Sequence, residues 1–353
     1  MARQDRPGVG PARPPAVARV LERVTSSVRE HGLFSPGERI LVAVSGGPDS
    51  TCLLWSLHLL RDLFRIDIEA FHFDHRLRPG SGTDARYVRR LAGRLGIPFH
   101  LRTASSGPER GESVEAWAHT ARWNAANEIR REEGFAAVAA GHTLDDQAET
   151  VLLGMIRGGG LHFVAGMPPR DDGYVVRPLL GVRRSEVEAF CRALRLRPRI
   201  DPSNRDMRLL RNAIRHEVLP MLERATGRDV RPTLARTASL LRTDADELFR
   251  QGAVAFGKLA EETGPGEYRI DADGLADLPE AIAGRVVQLA MWQSWVHPER
   301  ETVRAVVGLA RGRRGRRVDL PRGLIARRDR DYVVLSRSSP GTRRSRDDRG
   351  RAR

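Results

Sequence analysis

The chain's apolar positions fall into two rhythms that alternate along its first half. Arg39-Ile-Leu-Val-Ala-Val-Ser45 is a short continuous apolar run, the pattern of a strand buried on both faces. Ser50–Phe64 follows as an apolar-rich helix, and Ile66–Phe73 as a second strand. Thr83–Leu95 puts Val88, Leu91, Ala92 and Leu95 on one helical face, and Gly96 stops it before a third strand, Ile97–Thr103. A long helix over Ser113–Glu133 ends at Gly134, the residue type favoured just past a helix C-terminus. Phe135–Gly141 reads as a fourth strand. Leu144–Arg157 reads as a helix halted by Gly158-Gly159-Gly160, with Leu144, Ala148, Val151, Leu152 and Met155 as its core face. Strands alternating with helices predict an α/β domain with a doubly wound parallel sheet, whose ligands bind beyond the carboxyl ends of the strands.

After residue 207 the rhythm turns helical. Met207–Arg224, Pro232–Ala260, Pro279–Val296 and Glu299–Arg311 are the helix candidates, with a turn at Gly264-Pro-Gly266 and short strands within Arg317–Ser336. The pattern predicts an N-terminal segment with a helix (1–35), a catalytic α/β domain (36–224), a smaller, mostly helical domain with short C-terminal strands (225–336) and a disordered basic tail (337–353).

Composition sharpens this picture. The 353 residues carry a formal charge of +15, and Lys258 is the single lysine. Residues 39–160 balance 15 basic against 15 acidic side chains, whereas 161–224 carry a net +5 and 311–353 a net +11. The excess therefore sits in two stretches, and a polyanion such as nucleic acid is the partner it suits. No apolar run approaches the length of a membrane span, and Met1–Pro15 lacks the apolar core of a secretory signal. Two cysteines, Cys52 and Cys191, exclude a disulfide framework or CxxC site within the chain, and a reducing cytoplasm is the expected compartment.

The chemistry-bearing residues gather at strand ends. Ser45-Gly46-Gly47-Pro48-Asp49-Ser50 joins the first strand to its helix. Glycines there let the backbone approach a phosphate, and helix N-terminal amides can donate to its oxygens. The lysine of a Walker A loop is missing, and an aspartate in such a cradle makes sense if Asp49 holds Mg²⁺ between protein and phosphates. His72-Phe-Asp74-His75-Arg76-Leu-Arg78 ends the second strand; zinc at His72 and His75 has little support, because no further ligand lies at typical spacing. Gly141-His142-Thr-Leu-Asp145-Asp146-Gln-Ala-Glu149-Thr150 again follows a strand and opens a helix, with His142, Asp146 and Glu149 on one face. Three acids in five residues exceed what helix capping needs and suit Mg²⁺ or an ammonium substrate. On the long helix, Trp117 reads as core, and Arg122 alone is equally well a solvated residue.

The order of SGGPDS, HFDHRLR and GHTLDDQAET at successive strand ends resembles the PP-loop ATP pyrophosphatase superfamily. Gly166-Met-Pro-Pro169, Arg177-Pro-Leu-Leu180, Asp201-Pro-Ser-Asn204 and Arg211-Asn-Ala-Ile-Arg215 narrow the resemblance to the tRNA(Ile)-lysidine synthetase family, strongly over residues 35–225. The resemblance implies adenylation of cytosine 34 in the CAU anticodon of tRNA(Ile) by ATP, then attack by free L-lysine to give lysidine, AMP and pyrophosphate. It implies that Ser45, Gly46, Gly47 and Ser50 cradle the pyrophosphate end, with Pro48, His72, Asp74, Gly141 and His142 completing the nucleotide site. Asp145, Asp146 and Glu149 would hold lysine, Arg122 would stabilise charge at the activated cytosine or α-phosphate, and Arg205, Arg208, Arg211 and Arg215 would meet tRNA phosphates. A homodimer is the assembly it suggests. His119, Trp123 and Phe73 stand where the family more often has arginine, tyrosine and valine. The nearest rival, a sulfur-installing tRNA enzyme, would need cysteines that this chain does not pair. A non-catalytic RNA-binding module would not need the acids, which repel phosphate.

Overall fold

The structure, a computed structural model, describes residues 13–77, 80–111, 113–158, 160–171, 173–199 and 206–337. Arg205 and the basic tail beyond residue 337 lie outside them. The chain divides into two compact units that meet in sequence between Leu240 and Leu241.

The first unit opens with helix α1 (Pro15–Glu30) and continues β1 (Arg39–Ala43), α2 (Pro48–Phe64), β2 (Asp67–Asp74), α3 (Ser81–Leu95), β3 (Phe99–Thr103), α4 (Val114–Glu133), β4 (Ala137–Ala139) and α5 (Leu144–Ile156). Next come α6 (Leu161–Val164), β5 (Arg170–Asp171), β6 (Val175–Val176) and α7 (Arg184–Ala193). The sheet order is β3-β2-β1-β4-β6-β5, parallel except for the β5–β6 pair. Ile40 pairs with Ile68 on one side and Ala137 on the other. Ile40 and Val42 face one core with α1, α2, α3 and α7, whereas Leu41 faces a second core with Phe71, Ile129 and Val138. A strand buried on both faces explains why its sequence is continuously apolar rather than alternating. Cys52 and Cys191 are free and buried in the first of these cores.

The helix expected over 207–224 starts later, as α8 (Leu210–Ala213), and passes through a π-helical turn at Ile214–Val218 into α9 (Leu219–Thr226). Ile214 and Leu219 pack on Ala148 of α5. The 29-residue helix α10 (Arg231–Leu259) follows.

The second unit contains more sheet than the sequence pattern suggests. Besides α11 (Ala272–Asp277), α12 (Glu280–Gln293) and α13 (Arg300–Ala310), it has strands β7 (Ala260–Gly264), β8 (Glu267–Asp271), β9 (Arg317–Asp319), β10 (Leu324–Asp329) and β11 (Tyr332–Arg337). They form an antiparallel sheet of order β7-β8-β11-β10-β9 around Ile270, Val287, Met291, Val306, Leu324 and Leu335. The turn at Gly264-Pro-Gly266 is thus a hairpin, whose β7 half is too polar to announce itself as a strand.

Candidate active site

In the first unit the chain runs from β1 outward to β3, then returns to lay β4 on the other side of β1. The loops after β1 and β4 therefore flank the switch point, where open α/β sheets bind ligands. They touch: a Cβ on Gly141 would lie 3.1 Å from the backbone of Asp49 and Ser50. Gly141→Ala should push the Ser45–Ser50 loop out of place and weaken ATP binding at least tenfold while the protein still folds. Calorimetric titration with ATP checks this, and an unchanged affinity would show that the loops tolerate separation.

The Ser45–Ser50 loop is held by its own hydroxyls. Ser50 Oγ lies 3.1 Å from Ser45 Oγ, accepts from the Ser45 N–H and donates to the Gly47 carbonyl. Gly46 has φ +93°, a conformation that penalises any side chain. Gly47 caps α2 without a side-chain bond, and Pro48 has no N–H, so the amides of Asp49 and Ser50 open the helix at the switch point.

Asp49 stands in the first turn of α2. Burial pushes its carboxyl up to about 6, with Asp146 adding repulsion and Arg184 opposing the shift. Its Oδ2 meets Arg184 Nη2 at 3.2 Å, whereas its buried Oδ1 has no hydrogen-bond partner. An orphaned carboxylate oxygen beside a glycine-rich loop fits a cation ligand. Among the described residues no group of three or more His, Cys, Asp or Glu is placed to hold a metal. A cation on Asp49 would thus draw its other ligands from phosphate and water, the habit of Mg²⁺.

Asp146 does two jobs with two oxygens. Its Oδ2 accepts from the Thr143 N–H (2.8 Å) and hydroxyl (2.7 Å), closing a capping box at the start of α5. Its Oδ1 faces Arg215 (3.0 Å), Arg184 (3.4 Å) and Arg211 (3.4 Å). Burial works to raise its pKa, but Arg211, Arg184 and Arg215 outweigh that and hold it at about 2. Glu149, one turn on and only 1% exposed, accepts from Arg211 Nε at 2.9 Å and from Arg215 Nε at 2.5 Å and Nη2 at 2.8 Å. Arg211 and Arg215, expected at tRNA phosphates, are thus turned onto the acids of α5. Arg215 stands in the π-helical turn, a feature that recurs at functional sites.

The other expected residues spread around this cluster. His142 is driven down to about 3 by burial, so its ring is neutral. His72 Nδ1 lies 2.7 Å from the Val44 carbonyl, which fixes the proton on Nδ1, and burial lowers its pKa. Asp74 accepts from the Arg76 N–H. Arg122 Nη2 is 3.1 Å from His75 Nε2, and burial lowers the pKa of its guanidinium. Asp145 is bound to the Arg184 N–H at 2.8 Å and to Arg231 at 3.3 Å, so its carboxylate fastens α7 rather than facing the acid pair. Arg208 is exposed and pairs with Asp206. Two packing expectations need correction. Trp117 is half-buried, edge-on to His75 at 6.2 Å, and Met155 is 47% exposed because α5 turns it away from the buried face of Ala148 and Val151.

The residue that sequence reasoning missed is Arg184. It opens α7 and touches both Asp49 and Asp146, joining the first turn of α2 to the acids of α5. An arginine in a first helical turn opposes the helix dipole, and that anomaly was the available signal.

A glycine-rich loop without a Walker lysine and a buried acid pair, both at the switch point of a parallel sheet, define a PP-loop protein, an ATP-using class. The PP-loop domain family matches residues 17–222. The tRNA(Ile)-lysidine synthase of Symbiobacterium thermophilum is 38% identical over 321 residues, 86% of this chain and 66% of that protein. That of Thermobifida fusca is 36% identical over 328 residues, 92% of this chain and 98% of that one. The U34-tRNA thiolase NcsA from Methanococcus maripaludis, solved with its 4Fe-4S cluster, shares the fold at a TM-score of 0.56 and 16% identity, covering 64% of this chain and 79% of that one. The chain belongs to the tRNA(Ile)-lysidine synthase family. No helix among the described residues is long and apolar enough to cross a membrane.

Proposed function

We propose that the protein ligates L-lysine to C2 of cytidine 34 in the CAU anticodon of tRNA(Ile), through an adenylated cytosine, releasing pyrophosphate and then AMP. The observation that carries this reading is Arg184, which ties Asp49 of the phosphate cradle to Asp146 of the acid pair. In this reading an ATP site and a site for a cationic nucleophile adjoin. In this reading residues 36–224 are the catalytic domain and 225–336 bind tRNA.

The Ser45 and Ser50 hydroxyls and the first amides of α2 would hold the leaving pyrophosphate. Asp49 would hold Mg²⁺, which when bound neutralises charge on the phosphates. Arg122 would stabilise charge at the α-phosphate or the activated base, and His72, Asp74 and His142 would flank the nucleotide. Asp146 and Glu149 would take the lysine ammonium groups in the positions now filled by Arg211 and Arg215, freeing those guanidiniums for tRNA phosphates. Glu149, which accepts three guanidinium bonds in the absence of lysine, would orient the attacking amine once lysine takes their place. The attacking amine must lose a proton, since its ordinary pKa is near 10.4.

Sulfur installation has less support. Cys52 and Cys191, the chain's two cysteines, are buried, and burial raises the pKa of both thiols. Incubation with ATP, labelled lysine and tRNA(Ile) carrying CAU should give label in the tRNA that is lost when C34 is replaced. Thiolation without lysine uptake would overturn the proposal.

A further inference from the structure

The second unit presents an aromatic side chain in a setting that folding alone does not explain. Helix α12 ends at Gln293, and the Val296 N–H closes back on the Met291 carbonyl at 2.9 Å. That closure puts Trp295 in the left-handed conformation, φ +62°, where glycine is the usual residue. Trp295 is 74% exposed. The other five non-glycine residues with positive φ among those described are all arginines, whose long stems reach away from the backbone. A large ring held in water on a strained backbone points to a use.

Its surroundings say which. Trp295 and Trp292 line a cleft of about 410 Å³ together with His297, Glu299, Pro321 and Arg322. Arg322 is itself left-handed, φ +56°, and donates from Nη1 to the Trp295 carbonyl at 3.1 Å. Arg337 donates to the Ser294 and Arg322 carbonyls, both at 3.3 Å. A Cβ on Gly266 would lie 3.8 Å from Trp295 Cδ1, so the β7–β8 hairpin backs one edge of the ring. Both guanidiniums are exposed and keep donors beyond these bonds. Residues 311–337, which supply them, carry 10 basic and 3 acidic side chains. Glu299 is the one acid on the cleft wall.

An exposed indole on a backbone tied to two arginines combines the two elements of single-stranded nucleic-acid sites, a stacking face and a phosphate grip. A protein hot spot would instead favour an apolar surround depleted of charge. We propose that Trp295 is a stacking platform for one unpaired base of the tRNA substrate, with Arg322 and Arg337 holding the adjoining phosphate. The base stacks on the indole face, and the phosphate meets the guanidinium edges. This inference rests on the reading of tRNA as substrate.

The test uses the full chain with tRNA(Ile). Trp295→Gly suits it, because glycine relieves the left-handed backbone and the variant should melt no lower than the wild type. It should bind tRNA roughly tenfold more weakly. Arg322→Ala should weaken binding and flatten the log–log salt dependence by about 0.7–0.9. Indole fluorescence of the wild type should be quenched by tRNA, and that quench should be reduced in Trp295→Gly by the share of this exposed ring among the five tryptophans. If the wild type forms lysidine but both variants bind tRNA as tightly as it does, the platform is refuted and the enzyme reading stands. If the variants lose affinity while the wild type forms no lysidine, the platform stands and the enzyme reading falls. A wild type that binds no tRNA refutes both.

Discussion

Asp49→Asn should abolish tRNA-dependent release of AMP and, at pH 8, raise the melting temperature by several degrees. Both effects come from one buried carboxyl. Its folded pKa of about 6 lies above its ordinary 3.8, chiefly because burial disfavours the charged form. The contribution this shift makes to stability is complete below pH 3.8 and is lost as pH rises through 6. Above pH 6 the ionised side chain therefore costs roughly 2–3 kcal/mol, which asparagine avoids. The gap in melting temperature between wild type and variant should narrow on going from pH 8 to pH 5. A variant that melts below the wild type at pH 8 would contradict the account of its burial. Retained AMP release would remove Asp49 from the chemistry.

Replacing Glu149 should have the opposite effect on stability. Its carboxylate is 1% exposed and is bound by Arg211 and Arg215, so Glu149→Gln leaves two guanidiniums facing only the capped Asp146. Breaking a buried pair from one side costs about 3–5 kcal/mol. Glu149→Gln combined with Arg215→Gln should cost clearly less than the two changes summed, with a coupling of about 1 kcal/mol or more. Additive losses would mean the pair is not coupled. In catalysis, Glu149→Gln should slow lysine transfer more than adenylation, so that adenylated tRNA accumulates where the wild type turns over. Equal losses in both half-reactions would detach Glu149 from lysine.

The α/β half of the fold was legible because its central strands are buried on both faces and its helices stop at Gly96 and Gly134, both in left-handed caps. The β5–β6 pair was not, because strands of two residues carry no period. Nor was β7, whose Glu261 and Glu262 are exposed on a polar edge. The site divided the same way. The glycine loop and the acids of α5 are local motifs, readable from spacing. The arginines that meet those acids come from 38 or more residues later in the chain, so spacing did not pair them with the acids, and Arg211 and Arg215 read as tRNA contacts instead. Asp146 shows the limit of a single reading, since one oxygen caps its helix as the bland expectation had it and the other faces the cluster.

The ring of ion pairs around α5 also fixes how an ammonium group can bind at Asp146 and Glu149. Asp49, Asp146 and Glu149 carry three negative charges, and Arg184, Arg211 and Arg215 answer with three positive ones. Such a cluster behaves as an ion exchanger rather than as an open electrode. An ammonium that enters at Asp146 and Glu149 must displace a guanidinium already seated, so its affinity is a difference between two pairings rather than the sum of its own. Selectivity would then come from the length and shape of the incoming side chain, while the net charge of the cluster hardly changes.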